Sequence, residues 1–300
     1  MTSSTKIQLT QLLRRHLQDF GAPEPLGSIG IFYCRNTQRV REVPLHQPCM
    51  IMVLQGMKRL TFKDKSYDCR PGQLLLIPGN SVVYFENIPL GEQQEFLSMC
   101  TSFQPNTVEQ FCHQHKQIIN NIGSSASPLA DAPSDIQLAM LQRVQWCQQQ
   151  GVDELMDEHR QQELLLLLVN SGLGESLLLP HASSWRQRVC HMLSLNIGHD
   201  WQLNQVSDKL AVSDSTLRRH LSKESTSFRL LLEETRLVSG LCLLQETNWP
   251  IGQIAETVGY QSQSRFGERF KRRFSMTPRE LRQTRQLGLS ESGERLTAES

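Results

Sequence analysis

The same small unit occurs twice in the last hundred residues of this 300-residue chain, and nothing else in the sequence restricts the fold as tightly. After Trp201, the apolar residues Leu203, Val206 and Leu210 recur at helical spacing, Ala211-Val212 interrupts them, and Ser213 or Asp214 can cap a second helix. Leu217 and Leu221 face inward on that helix, which leaves Ser215, Thr216, Arg218, Arg219 and Ser222 outward. Further on, Ile251, Ile254, Ala255 and Val258 make the first helix of a second unit, Gly259-Tyr260 makes its turn, and Ser262 caps a helix with Phe266 and Phe270 inward. Gln263, Arg265, Glu268, Arg269, Lys271 and Arg272 populate the polar faces there. A helical run over residues 228–245 is long enough to hold the two units at a fixed separation. A helix, a tight turn and a second helix offer side chains to the base edges of a major groove. Two such units about one DNA turn (~34 Å) apart fit successive major grooves on one face of a duplex.

Charge points to a polyanionic partner for the same segment. The net charge of +1 hides an asymmetry: residues 181–285 hold 16 of the 31 Lys and Arg but 10 of the 30 Asp and Glu. That segment therefore carries +6 and the remainder −5. Arg suits guanine and Gln suits adenine, while surrounding basic residues and helix N-termini hold phosphates without reading sequence.

A family pattern runs through these helices. Ser227-Phe228, Arg236, Leu243-Leu244, Ile251, Ile254-Ala255, Gly259-Tyr260, Ser262, Ser264, Phe266, Phe270-Lys271, Phe274 and Pro278 stand at spacings that resemble the AraC/XylS transcription-regulator signature over about residues 184–284. The resemblance implies a seven-helix DNA-binding domain. By position it implies base-reading roles for Ser215, Arg218 and Arg219 in the first unit and for Gln263, Ser264, Gly267 and Glu268 in the second. Ser213, Thr216, Ser262, Arg265, Arg269, Lys271 and Arg272 complete the expected DNA-binding set. The chain departs from the pattern at Ser225 and Ser275, where the family usually has Gly. Gly267 lies inside the second reading helix, where it costs ~1 kcal/mol relative to Ala and offers no side chain. Glu268 repels phosphate but can accept from cytosine N4. The first unit is therefore expected to supply most base discrimination, and the second to grip the backbone through Arg269, Lys271 and Arg272.

The rest of the chain has a different texture. Residues 1–27 are polar, with a short helical pattern in Leu9, Leu12, Leu13 and Leu17. From Ser28, apolar runs at 29–33, 50–54, 59–62, 74–77 and 82–85 alternate with turn residues such as Gln55-Gly56, Arg70-Pro71-Gly72 and Pro78-Gly79-Asn80. That spacing predicts an antiparallel sandwich or small barrel. Past Phe103 the period becomes helical over 107–120, from a Ser134 cap to about 149, and over 153–171, with a loop at 121–128 and a linker at 172–184. Residues 164–169 are apolar around the whole helix, which predicts burial. Leu165 and Leu168 there are candidates for an intradomain core or for dimerisation.

Pro48, Leu54-Gln55-Gly56, Lys58, Tyr67, Arg70-Pro71-Gly72-Gln73-Leu74 and Ile77-Pro78 resemble the cupin-type N-terminal domain of many such regulators. The metal set of cupin enzymes is missing: the strands contain only His46, and His113, His115 and His159 fall in the helical stretch. Cys112 beside His113 and His115 is read as ordinary helix positions, and the eight cysteines contain no Cys-x-x-Cys pair. No Gly-x-Ser-x-Gly or phosphate loop occurs either, so catalytic residues, metals and cofactors are expected to be absent. A small barrel can instead enclose one ligand. Met50, Met52, Leu54, Leu74 and Leu76 alternate as candidate lining, with core filling the alternative for the methionines, and Arg59 and Tyr84 are candidates to orient a polar ligand head if they point inward.

The expected fold class is α+β: an arm over 1–27, a cupin-like β-sandwich or barrel with following helices over 28–178, and an all-α domain with two helix-turn-helix units over 179–300. The expected function is a sequence-specific DNA-binding transcriptional regulator, an activator by family resemblance, controlled through its N-terminal domain by a small-molecule effector. Its expected partners are double-stranded promoter DNA, RNA polymerase and a second copy of the chain, with no membrane. The alternatives are the same regulator controlled by a protein partner, and a cupin-type metalloenzyme with a DNA-binding appendage. No apolar run exceeds six residues and the first residues have no apolar signal core, so the expected setting is the bacterial cytoplasm.

Overall fold

The computed structural model describes residues 2–18, 26–92, 94–119, 127–178 and 184–285. After helix α1 (Thr2–Gln18) come β1 (Ile29–Cys34), β2 (Gln38–Leu45), β3 (Cys49–Gln55), β4 (Met57–Phe62), β5 (Lys65–Cys69), β6 (Gln73–Ile77), β7 (Ser81–Ile88) and β8 (Phe96–Ser102). Helices α2 (Pro105–Gln114) and α3 (Lys116–Ile119) precede β9 (Leu129–Asp131), and α4 (Ser134–Gln150), α5 (Glu154–Asn170) and α6 (Glu175–Leu178) complete the N-terminal part. The strands form two antiparallel sheets, ordered β1-β8-β3-β6-β9 and β2-β7-β4-β5. All five expected apolar runs are strands. β2, β5, β8 and β9 were not legible, and β2 shows one reason. Its register slips between Val40 and Val43, where Glu42 adopts a φ of 50° and breaks the alternation that marks a half-buried strand.

The sheets enclose one core and the helices cover another. Cys34, Cys49, Ile51, Val53, Leu75, Ile77 and Phe96 of the first sheet meet Val40, Val43, Leu60, Cys69, Val83 and Phe85 of the second. On the opposite face of the first sheet, Met50, Met52, Leu54, Leu74 and Leu76 pack with Leu9, Leu13 and Leu17 of α1 and with buried residues of α4 and α5. Those five side chains therefore lie under the helical layer rather than lining the sandwich interior, a correction to the sequence expectation. Period-2 alternation assigns residues to two faces but does not say which face a helix will cover.

The helical layer brings further corrections. Ser134 is the first helical residue of α4 and Pro133 its N-cap, whereas Asp153 caps α5 by accepting the Met156 N–H at 2.7 Å. Residues 164–169 are not buried all round, since Leu166 is 36% exposed. Leu165 and Leu168 are 0% exposed and belong to the N-terminal core, so they cannot also form a dimer interface. Within the expected linker, α6 buries Leu177 and Leu178 in that same core. Most of the expected 121–128 loop, and residues 179–183 of the linker, lie outside the described residues. No described helix is long and apolar enough to cross a membrane.

Seven helices follow among the described residues: α7 (Trp185–Ser194), α8 (Leu203–Lys209), α9 (Asp214–Lys223), α10 (Phe228–Glu246), α11 (Ile251–Thr257), α12 (Gln263–Phe274) and α13 (Pro278–Gln283). The first unit has its own small core of Val189, Leu193, Trp201, Val206, Leu217, Leu221 and Leu231. The core of the second unit, including Leu241, Ile254, Phe266, Phe270 and Phe274, is continuous with the sandwich interior. Polar contacts reinforce this seam. The backbone N–H groups of Arg35 and Asn36 donate to the Thr284 carbonyl at 2.8 and 3.0 Å, and Gln245 Nε2 donates to Gln38 Oε1 at 3.1 Å. No periodicity or motif in the sequence marks so extensive a joint between the two parts.

Candidate nucleic-acid interface

The second helix of each unit begins at a serine cap. Ser213 Oγ accepts the Thr216 N–H at 3.2 Å to start α9, and Ser262 Oγ accepts the Arg265 N–H at 3.3 Å to start α12. Ser213 also hydrogen-bonds the Ser215 and Thr216 hydroxyls at 3.0 and 2.9 Å, so these three hydroxyls are already engaged with one another. Leu217 and Leu221 anchor α9 from beneath, and Trp185 stacks on His220 at 4.4 Å to brace its flank. Ser215, Arg218, Arg219 and Ser222 remain exposed. No hydrogen bond or ion pair to Arg218 or Arg219 occurs among the described residues.

α12 is more strongly anchored and more neutralised. Phe266, Phe270 and Phe274 form a fully buried row, with ring centroids 5.4 and 4.7 Å apart in sequence. Gln263, Ser264, Arg265, Glu268, Lys271 and Arg272 are exposed, and Gly267 is half-buried. A Cβ added at Gly267 meets nothing within 4 Å, so no close approach requires glycine there. Arg269 and Arg272 reach Glu233 of α10 at 3.4 and 3.3 Å, and Arg273 pairs with Glu234 at 3.0 Å. The expected backbone grip through Arg269 and Arg272 is thus already shared with a carboxylate, while Lys271 stays exposed.

α10 sets the separation of α9 and α12. Its 19 residues span about 28 Å at 1.5 Å per residue. Leu231 near one end enters the first unit's core, and Leu241 and Leu244 near the other enter the second's. At Gly240 an added Cβ would lie 2.8 Å from the Phe266 ring, so α10 and α12 touch where only glycine fits. Two clefts flank α10. One of about 560 Å³ is lined by Arg229, Glu233, Arg236, Tyr260, Arg265 and Arg269, among others, and one of about 380 Å³ by Arg218, Ser222, Thr226, Phe228 and Arg229. Arg229 and Glu233 were not among the sequence candidates, although their spacing of four and three to Arg236 already placed all three on one helix face.

The two N-terminal candidates are corrected. Arg59 pairs with Asp68 at 2.7 Å and holds that carboxyl below its usual range through the hydrogen bond, and Tyr84 donates to Glu86 at 2.6 Å. Both lie on the outer face of the second sheet, because their strand neighbours Lys58, Leu60, Val83 and Phe85 take the inner one. The inward cation is Lys58, 1% exposed, whose ammonium donates to Asn87 Oδ1 at 2.6 Å and lies 4.0 Å from the Phe85 ring centroid. Burial brings its pKa down to about 8. Among the described residues, no three His, Cys, Asp or Glu side chains gather as a metal site.

Two family models match the chain: a helix-turn-helix domain over residues 206–284 and the ExsA N-terminal regulatory domain over residues 48–178. The urease operon transcriptional activator of Escherichia coli is 38% identical over 101 residues, 33% of this chain and 34% of that protein. The HTH-type transcriptional regulator GadX of Escherichia coli O157:H7 is 31% identical over 135 residues, 43% of this chain and 49% of that one. The chain thus spans between a third and a half of the length of these relatives. In fold it is similar to ToxT from Vibrio cholerae strain SCE256, solved with a bound unsaturated fatty acid, at a TM-score of 0.57 and 17% identity over 85% of this chain and 94% of that one.

Proposed function

We propose that this chain, with a helix-turn-helix domain match over residues 206–284 and an ExsA N-terminal regulatory domain match over 48–178, is a regulator of the AraC/XylS type that binds promoter DNA sequence-specifically through α9 and α12, under the control of its N-terminal domain. The observation that carries this reading is the pair of serine-capped, exposed helices mounted on α10, with Arg218 and Arg219 carrying no intramolecular partner among the described residues. Arg218 and Arg219 supply most base discrimination. Gln263, Ser264 and Glu268 contribute at the second groove, Arg265 and Lys271 hold phosphate, and Ser213, Thr216 and Ser262 act mainly by presenting helix N-termini. No residue is assigned a catalytic role.

Control through a small-molecule effector is the reading we favour for the N-terminal domain. Lys58 is a buried ammonium with a neutral hydrogen-bond acceptor and three aromatic rings, Phe32, Phe85 and Phe96, around it, a setting in which a negative group brought beside it would be stabilised. Asn87 passes its other hydrogen bond to Gln38 at 2.9 Å, and Gln38 meets Gln245 and Thr284 of the DNA-binding part. An anionic, largely apolar effector suits this interior, and the ToxT neighbour with its bound fatty acid lends that class support. Double-stranded promoter DNA, RNA polymerase and a second copy of the chain are the partners proposed with this function.

The test is base-specific. Arg218→Ala or Arg219→Ala should relax preference at one base pair by ~1–3 kcal/mol when the full chain is titrated against single-substituted duplexes. Equal weakening on every duplex would make both residues phosphate contacts and remove base reading from α9.

A further inference from the structure

We propose that the face of α10 between the two readers is a third DNA-contact surface, where Arg229 holds the sugar–phosphate backbone crossing between the two major grooves and Glu233 acts against it. The inference rests on the DNA-binding function proposed above and adds a contact that neither helix-turn-helix unit contains. Arg229 lies in the first turn of α10 and is exposed. It lines both clefts, sharing one with Arg218 and Ser222 of α9 and the other with Arg265 and Arg269 of α12. One side chain therefore joins the arginines of the first reader to those of the second.

A duplex entered by both readers must carry its backbone past the α10 segment that separates them, and phosphates are what that stretch presents. Arg229 has no hydrogen bond or ion pair among the described residues, so phosphate binding breaks no existing pair. Glu233 follows one turn later on the same helix face. It draws Arg269 and Arg272 toward α10 at 3.4 and 3.3 Å and places a negative charge where phosphate would come. Asp200 and Glu256 also line the larger cleft, so the surface is an arginine track interrupted by carboxylates rather than a uniformly basic patch. Such a track gives affinity without sequence preference, and Glu233 keeps that affinity below what the arginines alone would supply.

The experiment titrates the full chain against a duplex carrying its selected sequence, from low to physiological salt. Arg229→Ala should weaken binding ~5–10-fold near 0.1 M salt and lower the slope of log affinity against log salt by about one, the signature of a single lost phosphate contact. Arg229→Lys should restore most of both, because phosphate contact depends on charge. Glu233→Gln should tighten binding several-fold and steepen the slope by releasing Arg269 and Arg272. The preferred sequence should be unchanged in all three variants. Unchanged affinity and slope in Arg229→Ala, or a loss confined to one base pair, would overturn the assignment of Arg229. Equal or weaker binding by Glu233→Gln would overturn the opposing role of Glu233. A wild-type chain that selects no sequence defeats the proposed function itself. Loss of base preference in Arg218→Ala beside a silent Arg229→Ala defeats only this inference.

Discussion

Three residues of the DNA-binding part hold left-handed backbone without being glycine: Ala211 at φ 54°, Ser225 at 53° and Ser275 at 60°. Ser275 is the C-cap of α12, Ser225 follows the end of α9, and Ala211 makes the turn before it. An L-residue in this region carries roughly 1–2 kcal/mol of steric strain that glycine escapes, offset in part by glycine's greater freedom in the unfolded chain. Ser275→Gly and Ser225→Gly should therefore each raise unfolding stability by about 0.5–1 kcal/mol. Gly267→Ala should add ~1 kcal/mol, since the space around it is open and α12 gains helix propensity. Urea midpoints check all three, and a fall in any of them would contradict its argument. The two serines were legible in the sequence as departures from a glycine pattern, but their backbone angles were not. Arg59 and Tyr84 show the opposite outcome: both stand on strands as expected, but they point outward where a ligand role needs them inward, because strand membership does not decide orientation in a two-sheet domain.

At the scale of elements, legibility followed the strength of the periodic signal. α8, α9, α11 and α12 carry clear apolar stripes and polar outer faces, and the serine caps of α9 and α12 stand where the residue types put them. β8 was missed for the reverse reason. It is almost wholly buried and holds Ser98 and Thr101 at 0% exposure, so neither alternation nor continuous apolarity marked it. α5 lies between these cases. Its leucine run predicted burial, and packing divided it, with Leu165 and Leu168 inside and Leu155 and Leu166 left at the surface. Leu165→Ala and Leu168→Ala should each cost about 2–5 kcal/mol in unfolding stability, as core truncations do. Leu155→Ala should stay within ~0.5 kcal/mol. Similar midpoints for all three would mean that α5 does not bury the face described.

At the scale of the molecule, the seam joins a sensor-like sandwich to one half of the DNA-binding part, and two buried titratable groups sit in it. Glu246 accepts the backbone N–H of Ile31, and burial raises its pKa to about 7. His46 lies near Arg186 and Arg273, and burial followed by those two positive charges lowers its pKa to about 4. The signs oppose. The folded chain binds the extra proton at Glu246 between about pH 4.5 and 7, so that group's contribution to stability falls as pH rises through this window. The unfolded chain binds the extra proton at His46 between about pH 4 and 6.5, so that contribution grows with pH. Wild-type stability should change little from this pair between pH 5 and 6.5. Glu246→Gln keeps an acceptor for Ile31, and its stability relative to wild type should rise by about 3 kcal/mol from pH 4.5 to 7. Parallel pH profiles for the two proteins would show that Glu246 is not held protonated at the seam.

The central claim is that one chain carries two readers at a fixed separation, and selection from a random duplex pool tests it most directly. The full-length chain should enrich a two-part motif whose halves lie about one helical turn apart, ~10 base pairs centre to centre. Arg218→Ala should lose definition in one half alone. Recovery of sequences with no shared motif, or of a single short motif with no second half at fixed spacing, would contradict the account.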